Sequence, residues 1–187
     1  MTPSSRRLGA SFRDPSGFLF QRNETLYRQV NSTYQQNYDH LMASGLYKKL
    51  VDTGLLIPHQ EVELEPVDPD NAYKIIQPEP IDSISYPYEW CFSQLKDAAL
   101  RTLEIQKIAL NYGMSLKDGS SYNIQLHKGR PILIDTLSFE ICQEGSPWIP
   151  YRQFCQHFLA PLALINHQSH ERRRDGRVVR FECQRDF

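Results

Sequence analysis

From residue 17 to 30 the chain reads GFLFQRNETLYRQV, with apolar and polar positions alternating on both sides of Asn23-Glu24. A period of two around a polar pair predicts a β-hairpin. The period then lengthens. Tyr34, Tyr38, Leu41, Met42 and Leu46 recur at three- and four-residue spacing within 31–54, which makes one helix face apolar. Ser32 and Thr33, each followed three residues later by glutamine, have the form of a capping box. Gly45 is a candidate interruption and Gly54 a stop.

Residues 55–90 hold six prolines among short β-rich runs. They predict two or three strands, with DPDN (68–71) as the clearest turn. The run ends in SYPYEW (85–90), expected to be an extended connector because the residue before a proline is biased away from helix. A long helix is predicted over 92–112. At 100° per residue Phe92, Leu95, Ala98, Ala99, Leu103, Ile105, Ala109 and Tyr112 fill about half its circumference, opposite Lys96, Asp97, Glu104 and Lys107. So wide a face predicts packing on more than one neighbour, and Gly113 closes the helix. The last helical pattern, YRQFCQHFLAPLALI (151–165), contains Pro161, which should kink or divide it. The following segment to residue 187 carries five arginines between Arg172 and Arg180 and reads as a solvated tail or short hairpin. This order of elements predicts an α+β fold.

Composition narrows the function classes. A net charge of −1 over 187 residues provides no basic field to gather nucleic acid or anionic membrane. No apolar run approaches the roughly 20 residues of a membrane span. MTPSSRRLGASFRDPSG lacks the apolar centre of a signal peptide, so the expectation is a cytoplasmic chain with a loose leader over 1–12. Cys91, Cys142, Cys155 and Cys183 form no CxxC pair and are expected to be buried free thiols. Cys155 with His157 lacks the further ligands of a zinc site.

The candidate chemistry lies in LKDGSSYNIQLHKGRPILID (116–135). Ile124 and Leu126 share one face of a first strand, and Ile132 and Ile134 one face of a second. Matching those faces favours a three-residue loop, 128–130, which sets Asn123 opposite Asp135 with Cβ atoms about 5 Å apart. A two-residue loop would shift the pairing by one and leave them neighbours. An amide oxygen and a carboxylate at that distance can share a hard cation such as Mg²⁺. Asp118 lies on the preceding loop, within reach of the same cavity. Lys117 beside it reads as a solvated side chain. One aspartate for an acceptor hydroxyl, with an asparagine and a second aspartate for metal, is the division of labour of phosphoryl transfer.

The same stretch resembles the catalytic loop and metal-binding hairpin of protein-kinase-like and aminoglycoside-phosphotransferase-like proteins. The resemblance puts Asp118 at the catalytic aspartate, and Asn123 and Asp135 at the metal ligands. It implies a kinase-like two-lobe architecture: a β-rich lobe with one helix over 13–88, and a helical lobe with the hairpin over 89–167. The segment 168–187 stands apart as a divergent tail. Arg28, in LYRQV, stands where a nucleotide-binding lysine is expected, and Tyr88 and Glu89 of the connector would line a base pocket. ATP and Mg²⁺ are the implied cofactors. The departures are a lone Gly17 in place of a glycine-rich loop, LKD for HRD, and DTL for DFG.

A second resemblance spans 13–165 and is carried by FRDPSGFLF, LYRQV, GLLIPH, YPYEWCFSQLKDAAL and IDTLSFE with PWIPYRQFCQHFLAPLAL. These are similar to the N-terminal region of bacterial proteins described as class I S-adenosylmethionine (SAM)-dependent methyltransferases, some of them nodulation-protein-like. In that family the methyltransferase domain lies farther toward the C-terminus. This sequence has no glycine-rich strand–helix turn for SAM, so SAM would act only through a domain outside it, and the ending after about residue 167 reads as a truncation. Three expectations follow. One is a kinase-like nucleotide- and Mg²⁺-binding module, active or degenerate, that takes a nucleotide or small-molecule substrate. Another is a non-catalytic recognition or scaffold domain for a downstream methyltransferase. The third is SAM-dependent methyl transfer itself. Neither nucleic acid nor membrane is an expected partner.

Overall fold

A computed structural model describes residues 6–9, 14–143 and 145–174. Asn23 and Glu24 both adopt positive φ, 50° and 63°, the mirror-image turn whose twist suits a tight hairpin. Around this turn grows one antiparallel sheet of five strands: β1 (Arg6–Arg7), β2 (Gly17–Arg22), β3 (Thr25–Asn31), β4 (His59–Glu61) and β5 (Ala72–Pro78). Their spatial order is β1-β2-β3-β5-β4. Gly17 is obligatory where β2 enters the sheet. A Cβ there would lie 2.1 Å from the carbonyl oxygen of Gln29 on β3.

Two helices, α1 (Gln35–Ala43) and α2 (Leu46–Asp52), separate β3 from β4. Gly45 divides them at φ 84°, as its position suggests. The expected capping box is not formed. The chain enters α1 through a 3-10 turn, Ser32–Tyr34, without a side-chain cap, and the Thr33 hydroxyl instead donates to the Pro15 carbonyl at 2.9 Å. The DPDN turn is present, closed by Asn71 Nδ2 donating to Asp68. The connector is not extended. Pro87–Glu89 form a 3-10 turn, which Glu89 closes by accepting from the Tyr86 amide at 2.6 Å.

The long helix α3 (Phe92–Leu110) buries Leu95, Ala98, Ala99, Thr102, Ile105, Gln106 and Ala109. Its packing on several neighbours, among them α2, is as expected, but the buried arc is rotated. Phe92 and Leu103 stay two-fifths exposed, and the polar Thr102 and Gln106 take the inner positions. Both are satisfied there. Thr102 Oγ1 donates to the Ala98 carbonyl, and Gln106 Oε1 accepts from the Leu116 amide, so the arc carries polar groups that a hydrophobic count omits.

Four short strands follow: β6 (Met114–Leu116), β7 (Ile124–His127), β8 (Arg130–Leu133) and β9 (Phe139–Ile141). β6 pairs with β9, and β7 with β8. The β7–β8 loop has two residues, not three. Lys128 and Gly129 both have positive φ, 51° and 75°, and His127 pairs with Arg130. That turn matches the right-handed twist of the strands and overrides the face-matching register. Asn123 therefore faces Ile134, whose amide donates to its carbonyl at 2.9 Å, and Asp135 lies one residue farther.

The final helical run is continuous through Pro161. After α4 (Tyr151–Phe154) a π-helical turn, Cys155–Leu159, leads into α5 (Ala160–Arg174). Pro161 has no amide proton for the carbonyl four residues back, and the wider π turn accommodates the gap. α5 passes the boundary expected near 167. Residues 1–5 and 10–12 of the leader, residues 13 and 144, and the tail from 175 with Cys183, lie outside the described residues. Cys91, Cys142 and Cys155 are unbridged thiols, half-buried where burial was expected. Among the described residues no helix is long and apolar enough to cross a membrane.

The main apolar core joins α1 and α2 to α3, β6, the β7–β8 hairpin and Phe154 and Phe158 of the last helical run. A smaller core of Val30, Tyr34, Tyr38, Ile76 and Leu137 ties β3, β5 and α1 to the segment after Asp135. Gly17→Ala should lower stability in urea unfolding by on the order of 3 kcal/mol, because a backbone oxygen cannot yield as a flexible side chain does. Gly9→Ala, whose added Cβ meets nothing within 4 Å, should stay within about 0.5 kcal/mol of the parent.

Candidate functional site

A cation stands in the middle of the sheet. Arg28 lies on β3 between Leu19 of β2 and Ile76 of β5, with its side chain only 9% exposed. A guanidinium so deep requires anionic partners. Two aspartates far apart in the chain supply them. Nη1 lies 2.6 Å from Asp135 Oδ1 and Nη2 lies 2.9 Å from Asp14 Oδ2. Its third nitrogen, Nε, is buried without a hydrogen-bond partner among the described residues.

Each aspartate is held by its own backbone turn. Asp135 Oδ1 accepts from the Leu137 amide at 2.8 Å and opens the 3-10 turn Thr136–Ser138. Asp14 Oδ1 accepts from the Ser16 amide at 2.9 Å. The loop carrying Asp14 is fixed at its next residues by Asn31 Nδ2 and the Thr33 hydroxyl on the Pro15 carbonyl, and by the Asn31 amide on the Ser16 carbonyl. Lys117 joins the cluster from the other side. Its Nζ donates to Ser16 Oγ at 2.5 Å, lies 3.5 Å from Asp14 Oδ1, and stands 4.9 Å above the Tyr34 ring. The expectation of a solvated Lys117 is therefore wrong: three-quarters of its side chain is covered.

The loop between β6 and β7 brings Asp118 and Asn123 together. Asn123 Nδ2 donates to Asp118 Oδ2 at 3.0 Å and to Ser138 Oγ at 3.2 Å, while Asp118 Oδ1 accepts from the Ser120 amide. Asn123 thus bonds to Asp118 and to the turn after Asp135, not to Asp135 itself. The last helical run braces this loop. Gln153 Oε1 accepts from the Gly119 amide at 2.8 Å, and His157 Nδ1 lies 3.2 Å from Ser120 Oγ. Gly119 is close-packed there, since a Cβ would come 3.2 Å from the Pro150 carbonyl oxygen.

Asp14, Ser16, Gln153 and His157 are absent from the sequence-derived site. The one local signal for them is D-P-S-G just before a strand, an aspartate-led turn pattern. Tyr88 and Glu89 stand on the connector between β5 and α3. Glu89 closes its own 3-10 turn, and Tyr88 is 74% exposed, stacked on Tyr86 at 5.4 Å.

Behind Asp135 a second polar chain supports the turn. Thr136 Oγ1 lies 3.3 Å from His59 Nδ1, and the Tyr38 hydroxyl lies 3.1 Å from His59 Nε2 while donating to Glu61. Burial lowers the His59 pKa to about 4, against the opposing pull of Glu61. Tyr34 donates to the Phe139 carbonyl, and burial, with Asp135 nearby, raises its pKa and keeps the phenol neutral.

Among the described residues no group of three or more histidine, cysteine or acidic side chains is placed to hold a metal ion. A hard cation would rest instead on one carboxylate and one amide oxygen, completed by water or ligand oxygens. Asp135 Oδ2 and Asn123 Oδ1 would be the oxygens open to it, since they accept no hydrogen bond from the described residues.

The chain is similar to a rhizobial nodulation protein. It is 35% identical over 164 residues to nodulation protein NoeA of Rhizobium meliloti (strain 1021), across 87% of this chain and 34% of that protein. The chain thus spans about a third of the relative's length. No family model matches the sequence. Among solved structures it is similar to vaccinia related kinase 3, with a TM-score of 0.45 and 15% identity over 72% of this chain and 46% of that one.

His59 gives a pH signature with a definite sign. Its folded pKa lies below the ordinary 6.5, so the unfolded chain takes up a proton first as pH falls. Its contribution is complete above about pH 6.5 and is lost toward pH 4, on the order of 3 kcal/mol in all. Thermal midpoints from pH 7.5 to 4.5 should fall less steeply for His59→Gln than for the parent; equal slopes would show that His59 is not the group responsible. Arg28→Met, which leaves Asp14 and Asp135 facing each other without their cation, should cost roughly 3–5 kcal/mol in urea unfolding at pH 7.

Proposed function

We propose that the chain is a kinase-like module that binds a nucleotide with Mg²⁺, its sheet-bearing part (13–88) and its mainly helical part (89–167) meeting at the phosphates. One observation carries this reading: Arg28 on β3 reaches Asp135 after the β7–β8 hairpin at 2.6 Å, with Asp118 and Asn123 paired at 3.0 Å on the adjoining loop. Cation, metal-capable aspartate, asparagine and loop aspartate are the parts that phosphoryl transfer requires, and they come from the elements that the sequence resemblance assigns them.

Each residue has a role in that chemistry. The Asp118 carboxylate, oriented by the Ser120 amide and Asn123, would accept a hydrogen bond from an acceptor hydroxyl and aim its oxygen at phosphorus. Arg28 and Lys117 would face the phosphates. Mg²⁺ held by Asp135 and Asn123 would neutralise phosphate charge. Arg28 in place of lysine offers a planar fork that can grip two oxygens at once.

A second reading has its own support. Both cations of the site are already matched within the protein, Arg28 by two aspartates and Lys117 by Ser16 and Asp14. A network satisfied in this way can serve as a structural keystone for a recognition or scaffold domain within a longer protein of nodulation type. Methyl transfer would then require SAM-binding residues from outside this sequence.

Calorimetric titration separates these readings. ATP should bind the folded chain only with Mg²⁺ present, and Asp135→Asn should weaken it at least tenfold while circular dichroism stays unchanged. No binding of ATP by the folded parent leaves the scaffold reading. Binding of SAM in its place would overturn both.

A further inference from the structure

We infer that Asp14 is an internal stand-in for a ligand's phosphoryl group, holding the phosphate-facing edge of Arg28 until a phosphate displaces it. The inference rests on the phosphate-binding reading above and adds to it how access to the site is controlled. A guanidinium presents two parallel donors on the edge formed by Nε and Nη2, and a tetrahedral oxyanion can satisfy both at once. Here that edge is half used. Asp14 Oδ2 meets Nη2 at 2.9 Å, and Nε is buried with no hydrogen-bond partner among the described residues. Asp14 cannot supply the second bond as it stands, because its other oxygen accepts from the Ser16 amide at 2.9 Å and lies 3.5 Å from Lys117 Nζ.

An orphaned, buried charged donor is costly, so the site retains a preference for an anion with more oxygens than Asp14 can turn toward it. The two carboxylates on Arg28 are not equivalent. Asp135 sits at 2.6 Å, fixed to the turn that Leu137 anchors in the apolar core. Asp14 sits on the loop before β2, with 23% of its side chain exposed, tethered through Pro15 and Ser16. The same loop occupies the second cation, since Ser16 Oγ accepts from Lys117. Withdrawal of one short loop would therefore release an edge of Arg28 and the ammonium of Lys117 together. The occupant that matches both is a phosphate ester or the terminal phosphates of a nucleotide.

The test measures anion affinity by calorimetry, with inorganic pyrophosphate and Mg²⁺–ATP as separate probes. Asp14→Asn removes the competing charge and keeps an oxygen for the Ser16 amide, and it should tighten both probes at least tenfold. Thr33→Val leaves every charge in place and removes one tether on Pro15; it should tighten them severalfold, and it decides the matter if Asp14→Asn does not fold. Binding by the parent with unchanged or weaker binding by the folded variants would overturn the role of Asp14 and leave the phosphate site standing. Failure of the parent and both variants to bind either probe would overturn the phosphate reading itself.

Discussion

Arg28 sets the terms for this fold. A guanidinium at the centre of β3 has neighbouring strands on both sides and is largely withdrawn from bulk water, so the chain must bring it anions. One comes from the loop before β2 and the other from the end of the β7–β8 hairpin, more than a hundred residues later. The sheet and the hairpin are fixed relative to each other as a result. Tyr34 and Leu137 pack in the same small core, and the Tyr34 hydroxyl reaches the Phe139 carbonyl, so apolar contact and charge pairing point to one arrangement. Agreement between such independent terms is what makes a fold specific.

The elements were legible wherever a local pattern decided them. The Asn23-Glu24 hairpin, the Gly45 break, the DPDN turn and the long helix each follow from spacing and turn chemistry within a few residues. The misreadings share a cause: a distant partner claimed the group on which the local argument relied. Thr33 would cap a helix in isolation, but its hydroxyl belongs to Pro15. The inner face of α3 was read as apolar, yet Gln106 is drawn inward by the Leu116 amide. The β7–β8 register went astray for a different reason. Matching Ile124 and Leu126 to Ile132 and Ile134 treats faces as decisive, whereas the positive φ of Lys128 and Gly129 makes a two-residue loop the better twisted one.

The candidate site divides along the same line. Short motifs single out Asp118, Asn123, Asp135 and Arg28, and the fold pairs Arg28 with Asp135 and Asn123 with Asp118. Their pairings were not readable, because hydrogen bonds are chosen by the surrounding turns: Asn123 turns to Asp118 and Ser138, and Asp135 turns to Arg28 and the Leu137 amide. Asp14 and Lys117 entered only through contacts between segments about a hundred residues apart, a separation across which periodicity carries no information. At the connector a 3-10 turn uses the Glu89 carboxylate locally, and Tyr88 stacks on Tyr86.

Charge balance constrains what such a site can accept. Asp14, Asp118 and Asp135 carry three negative charges against two positive ones on Arg28 and Lys117, so 2 − 3 leaves a formal −1. A polyphosphate entering that cluster unaccompanied would add repulsion in a partly buried setting, where like charges are poorly screened. On the proposed reading two changes would make entry favourable: a divalent cation that arrives with the phosphate, and departure of the carboxylate that holds the Arg28 edge. The first would call on the oxygens of Asp135 and Asn123 that accept no hydrogen bond from the described residues, and the second on the loop of Asp14. Metal dependence and displacement of Asp14 would then be linked, since either alone would relieve only part of the excess negative charge.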